Sequence, residues 1–109
     1  MTQELAHVFA ALGDPTRLAI IQRLSDGDAS VSELAEPFDI SGPAISRHLK
    51  VLEQAGLISR QRNGQVRPCR LERARLEEIR DWTARMKQFW DESFERMDGY
   101  LEEIMEERS

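Results

Sequence analysis

Ten residues, Ser41-Gly42-Pro43-Ala44-Ile45-Ser46-Arg47-His48-Leu49-Lys50, gather side chains that can read a polyanion without making or breaking a bond. Ser46 and Arg47 can hydrogen-bond to base edges, and Ala44 is small enough to lie against a thymine methyl. Lys50 carries a compact charge suited to a phosphate. Ser41 and Pro43 come just before them, and His48 sits beside the apolar side of the segment, placed to pack or to meet a phosphate. A second basic group follows: Arg60, Arg62, Arg67 and Arg70, with Gln61, Asn63 and Gln65 around Gly64. Alternation along a strand would put Arg60 and Arg62 on one side, presenting a charged edge. Asn63-Gly64 is a turn dipeptide, so it would form a tip able to lie along a minor groove or the neighbouring phosphates.

Those groups need elements to hold them. Ser41 is a good N-cap, and Pro43 falls in the first helical turn, where a missing N–H costs little. Ile45, Leu49 and Leu52 then recur at steps of four and three, one apolar face of a helix over about 41–55. Arg47 and Lys50 point away from that face, and Gly56 stops the helix. Two short strands joined through Asn63-Gly64 read as a hairpin, or wing, over about 57–71. Upstream, Leu5, Val8, Phe9 and Leu12 mark a helix over 3–12. Asp14-Pro15 opens a second helix, with Leu18, Ile21 and Leu24 on its apolar side. A short third helix runs from about Val31 to Pro37, capped by Ser30 or Ser32, and braces the helix at 41–55. The fold class is therefore mainly α with a small β-hairpin wing, a winged helix-turn-helix. Its basic helix would enter a major groove, and its wing would straddle the phosphates beside it.

Downstream lies one long helix, about 74–107. Its apolar positions include Leu76, Ile79, Trp82, Met86, Phe89, Trp90, Phe94, Met97, Tyr100, Leu101, Ile104 and Met105. A helix of that length cannot bury such a stripe against so short a chain, and an exposed stripe with two tryptophans is costly. The expected partner is a second copy. The dimer contact would be made by Leu5, Val8 and Phe9 of the first helix and by Ile79, Trp82, Met86, Phe89, Trp90, Met97 and Leu101 of the last. Gly99 weakens this helix locally.

At 109 residues the chain reads as a single domain, 1–109. Its net charge of −5 argues against a nucleic-acid binder until it is mapped. Residues 1–40 carry −5, residues 41–75 carry +6, and residues 76–109 carry −6. A basic surface on an acidic body still makes specific phosphate contacts while discouraging indiscriminate ones. There is no Gly-rich phosphate loop and no histidine or cysteine cluster, so no enzyme, cofactor or metal centre is expected. Lone Cys69 reads as a small buried hydrophobe, and Arg17 and Arg23 as solvated or acid-paired. The acids of the last helix, from Asp91 to Glu103, read as a solvated face. No apolar run is long enough to span a membrane, and the first residues lack a leader's pattern, which makes the cytoplasm the default.

The quoted residues carry a resemblance. Phe9-Ala10-Ala11-Leu12-Gly13-Asp14-Pro15-Thr16-Arg17-Leu18, Ser32-Glu33-Leu34-Ala35, and Ser46 to Ile58 are similar to the ArsR/SmtB family of winged-helix repressors over about residues 5–72. That resemblance implies a homodimer on an inverted-repeat operator in double-stranded DNA, often its own promoter. It also implies two metal-sensing sites. One uses a cysteine pair around a valine at the third helix; here Ser30-Val31-Ser32 stand there. The other uses acids and histidines of the last helix; here the acids stand without histidines. The chain thus resembles the metal-free branch, its effector unknown. Two other readings remain: a protein-interaction module, and a regulator with a small-molecule pocket at the dimer interface near Trp82, Phe89 or Trp90.

Overall fold

A computed structural model of the chain describes residues 2–61 and 68–108. In chain order it contains α1 (Thr2–Leu12), α2 (Pro15–Leu24), α3 (Val31–Ala35), α4 (Gly42–Gln54), β1 (Ile58–Arg60), β2 (Cys69–Leu71) and α5 (Arg73–Arg108). The chain divides into two compact units, Met1–Leu76 and Glu77–Ser109. The second unit is the greater part of α5 and has no buried residue, so it has no core of its own.

The core of the first unit is built from apolar positions of every element but α5. Val8 and Ala11 come from α1, Ile20 and Leu24 from α2, Leu34 from α3, and Ile45, Leu49 and Leu52 from α4. Leu57, Ile58 and Cys69 complete it from the wing, and all are buried. A fully buried leucine or isoleucine contributes about 1.5–3 kcal/mol relative to an exposed one, so α4 is held chiefly by its three. Val8 is 0 % exposed. It is therefore a core residue rather than a surface that a second copy can reach, which corrects its expected place at a dimer contact.

Local chemistry fixes the ends of the helices. Asp14 Oδ2 accepts from the amides of Thr16 at 2.9 Å and Arg17 at 3.1 Å, with Pro15 next to the cap. Ser30 and Glu33 form a reciprocal capping box on α3: Ser30 Oγ accepts from the Glu33 amide at 3.2 Å, and Glu33 Oε1 accepts from the Ser30 amide at 3.3 Å. Helix α3 stops at Ala35, shorter than expected, because Pro37 has no N–H with which to continue it. Ser41 Oγ accepts from the Ala44 amide at 3.3 Å and so begins α4.

The end of α4 is a Schellman closure. The Leu57 amide donates to Leu52 O and the Gly56 amide to Glu53 O, each at 3.0 Å. Gly56 has φ +75°, and a Cβ there would stand 2.8 Å from the Arg75 guanidinium at the first turn of α5. Gly56→Ala is expected to cost about 1–2 kcal/mol, mainly from the left-handed backbone, since the guanidinium can swing aside. A urea melt at constant m-value measures it.

The wing strands pair antiparallel with Ile58 opposite Leu71, Ser59 opposite Arg70 and Arg60 opposite Cys69. A third segment joins them: the Cys69 amide donates to Ala29 O at 2.7 Å, and the Ala29 amide to Cys69 O at 3.2 Å. The base of the wing is thereby tied to the turn between α2 and α3.

Candidate nucleic-acid interface

Helix α4 is the element that positions the first group of expected contacts. Since Ile45, Leu49 and Leu52 face the core, a rotation of about 100° per residue turns Pro43, Arg47 and Lys50 outward. The structure agrees: Ser41, Pro43, Ser46, Arg47 and Lys50 are exposed, and Ala44 is half-buried. Among the described residues, neither Arg47 nor Lys50 has an ion pair, so both charges are available to a ligand.

His48 departs from this set. It lies half-buried at the edge of the core face and turns toward the start of α2. Its Nδ1 is 3.3 Å from Arg17 Nη1 and 3.8 Å from Asp14 Oδ2. The guanidinium can only donate, so in the neutral ring the shorter contact has Nδ1 accepting and the proton on Nε2, whereas a protonated ring would direct Nδ1–H at the Asp14 carboxylate. Arg17 is likewise not the solvated or acid-paired residue expected. Its Nε donates to Ala11 O at 2.6 Å and its Nη2 to Ala10 O at 3.4 Å. It thus satisfies Ala11 O at the end of α1 and gives Ala10 O, which also accepts from the Gly13 amide at 3.2 Å, a second donor. The Asp14 carboxyl is held below its usual range, first by the Arg17 amide and then, against the opposing effect of desolvation, by the field of His48. A signal for Arg17 existed in the sequence: a guanidinium just beyond a helix that ends without a basic last turn. Arg23 is paired as expected, with Glu33 at 3.6 Å.

The wing contributes differently from expectation. Residues opposite each other on paired strands share a face, so Arg60 shares one with Cys69 and, two positions back, with buried Ile58. Arg60 is half-buried, and its Nε is covered without a hydrogen-bond partner among the described residues. It does not present the outward charged edge that alternation alone implied. The outward face carries Arg70 instead, which is already paired: its Nη2 and Nε stand 3.0 and 3.1 Å from Asp28 Oδ2. That pair ties the wing again to the α2–α3 turn. The expected tip residues Arg62, Asn63, Gly64 and Arg67 lie outside the described residues. Cys69 is fully buried, and burial pushes its thiol pKa up against the opposing pull of Arg60, as suits a packed rather than a reactive group.

On the side expected to meet a second copy, Leu5 is half-buried and Phe9 is 38 % exposed. Along α5, Ile79, Trp82 and Met86 are half-buried, whereas Phe89, Trp90, Phe94, Met97, Tyr100, Leu101 and Met105 are each at least half exposed. Phe89 and Trp90 meet edge to face at 5.6 Å, and Trp90 and Phe94 stack at 6.0 Å. The polar side of the same helix carries pairs such as Lys87 with Asp91 at 2.8 Å. The described residues hold no group of three or more His, Cys, Asp or Glu arranged to bind a metal ion.

A helix locked into a core by one face, with free serine and basic side chains on the other and a two-stranded hairpin behind it, defines a winged helix-turn-helix DNA-binding protein. Comparison with known proteins narrows the class. A helix-turn-helix domain family matches residues 12–61. The transcriptional repressor SdpR of Bacillus subtilis is 42 % identical over 76 residues, 70 % of this chain and 84 % of SdpR. Among solved structures, an ArsR family transcriptional regulator matches with a TM-score of 0.76 at 40 % identity, over 84 % of this chain and 94 % of its own. The homodimeric winged helix-turn-helix DNA-binding domain of a possible ArsR-family regulator from Mycobacterium bovis matches with a TM-score of 0.63 at 27 % identity, over 76 % and 80 % of the two chains. The chain belongs to the ArsR family of transcriptional regulators. It is a DNA-binding regulator and not an enzyme.

Proposed function

We propose that the protein is a homodimeric repressor that binds an inverted-repeat operator, that its own promoter is among its targets, and that it works without the metal sites of its better-known relatives. The observation that carries the reading is the outer face of α4, where Ser46, Arg47 and Lys50 stand exposed on a helix whose other side is fully buried. In a two-fold dimer each copy would place that face in one half-site. Ser46 and Arg47 would meet base edges, and Lys50 a phosphate. The wing tip, with Arg62, Asn63, Gly64 and Arg67, would follow the adjacent backbone.

Two observations support the dimer: the exposed aromatic stripe of α5, and a homodimeric neighbour of the same architecture. The metal-free reading is supported by the role of Ser30. Its hydroxyl serves the capping box of α3, a task to which a thiolate committed to a metal would be ill suited. The acids of α5 have solvent and lysine or arginine neighbours rather than histidine beside them.

The test is selection of binding sites from a random duplex pool, followed by titration of the selected site and of the DNA upstream of the gene. Specific affinity should fall steeply as salt rises and should be the same with and without chelator. If no sequence is enriched over random duplex, the repressor reading fails. If chelator changes the affinity, the metal-free part fails alone.

A further inference from the structure

The cluster at the junction of α1, α2 and α4 points to a role that contact with DNA does not explain. Arg17 spends its donors on three partners from two other elements: Ala10 O and Ala11 O at the end of α1, and His48 Nδ1 on α4. Asp14 fixes the start of α2, from which Arg17 projects, and lies 3.8 Å from the same ring nitrogen. One guanidinium therefore joins the helix that reads DNA to the first helix of the chain.

We propose that Asp14, Arg17 and His48 form a positioning unit that sets the rotation of α4 about its axis, so that discrimination between operator and other DNA depends on it. The apolar contacts of Ile45, Leu49 and Leu52 hold α4 against the core, but they are non-directional. A hydrogen bond to a ring nitrogen has a direction. It acts at the edge of the buried face, where a small rotation displaces it most. Base-reading groups stand about 5–6 Å from the helix axis, so a turn of roughly 10° moves Arg47 by about 1 Å. That distance is large for a bidentate contact and small for a diffuse phosphate contact. His48 is the residue directly after Arg47, and the unit therefore acts where the reading face begins. On this proposal His48 acts through Arg47 rather than as a DNA contact of its own.

The inference rests on the repressor reading, and one experiment separates the two. The full chain and its His48→Asn, His48→Leu and Arg17→Lys variants are titrated with the selected operator and with random duplex over a range of salt, and each is melted thermally. Asparagine offers a carbonyl oxygen near the place of Nδ1, so H48N should keep the operator-to-random ratio within about twofold. H48L should lower that ratio by about tenfold, with random-duplex affinity and salt slope unchanged, and R17K should follow it. Should H48L fail to fold, H48Q replaces it, since its oxygen reaches the place of Nε2 and not that of Nδ1. If H48L or H48Q keeps the native ratio, the positioning role is wrong. If the leucine variant instead loses affinity for both duplexes and flattens the salt slope, His48 is a phosphate contact and the inference is again overturned. A native chain with no operator preference overturns both readings; a preference that these variants leave intact overturns only this one.

Discussion

Arg47→Ala is expected to lower operator affinity by roughly 30-fold to 10⁴-fold, while random-duplex affinity falls far less. A specific contact to a base edge contributes about 1–3 kcal/mol of discrimination. In a two-fold complex the substitution is present in both half-sites, so the loss doubles to about 2–6 kcal/mol. Arg47 lies exposed at the centre of the outer face of α4 and has no ion pair among the described residues, so its removal leaves the core untouched. Fluorescence anisotropy on the selected operator at fixed salt measures the loss. Lys50→Ala is the matched contrast: a phosphate contact should lower affinity for both duplexes and reduce the salt slope by about two per dimer. If Arg47→Ala binds the operator like the native chain, α4 is not the reading helix.

The second large effect is expected on assembly. Trp90 is 53 % exposed and stands between Phe89 and Phe94 with aromatic contacts to both, near the middle of the α5 stripe. An aromatic anchor at the centre of an interface is worth about 2 kcal/mol or more, and in a two-fold dimer it occurs twice. Trp90→Asp also adds a charge to each side of the contact. The dimer dissociation constant should therefore rise by about three orders of magnitude, read by sedimentation of both proteins over the same concentration series. Since nothing in α5 is buried within one chain, its later turns lose their packing with the partner, and the monomer should lose part of the helical content of α5. Operator binding should collapse with the dimer, because two linked half-site contacts become two separate ones. A Trp90→Asp protein that remains dimeric would place the contact elsewhere.

What could be read from the sequence and what could not divide along a physical line. Caps and helix faces follow from neighbours three and four residues away, and so Asp14, Ser41, Gly56 and the buried side of α4 were legible. Features set by contacts between distant segments were not. Alternation established that Arg60 and Arg62 share a side, but not which side faces the core; that depends on the register with Cys69. The sequence reads Arg17 as solvated or acid-paired, yet its partners are backbone carbonyls of α1 and a ring on α4, which no nearby residue type announces. Val8 and Phe9 belong to one helical pattern, and only packing separates the buried residue from the exposed one. The outer face of α4 was legible because it is the complement of a local pattern. The role of His48 was not, because it sits on the boundary between the two faces.

The pair of hydrogen bonds between Ala29 and Cys69 has a consequence for how the molecule comes to exist. They close a loop from Ala29 to Cys69 that contains α3, α4 and β1, and with them the face of α4 proposed to meet DNA. Helices inside such a loop can form from nearby contacts, but its closure must wait until the chain has bent back on itself. Closing so long a loop costs chain entropy that the local hydrogen bonds of α3 and α4 do not.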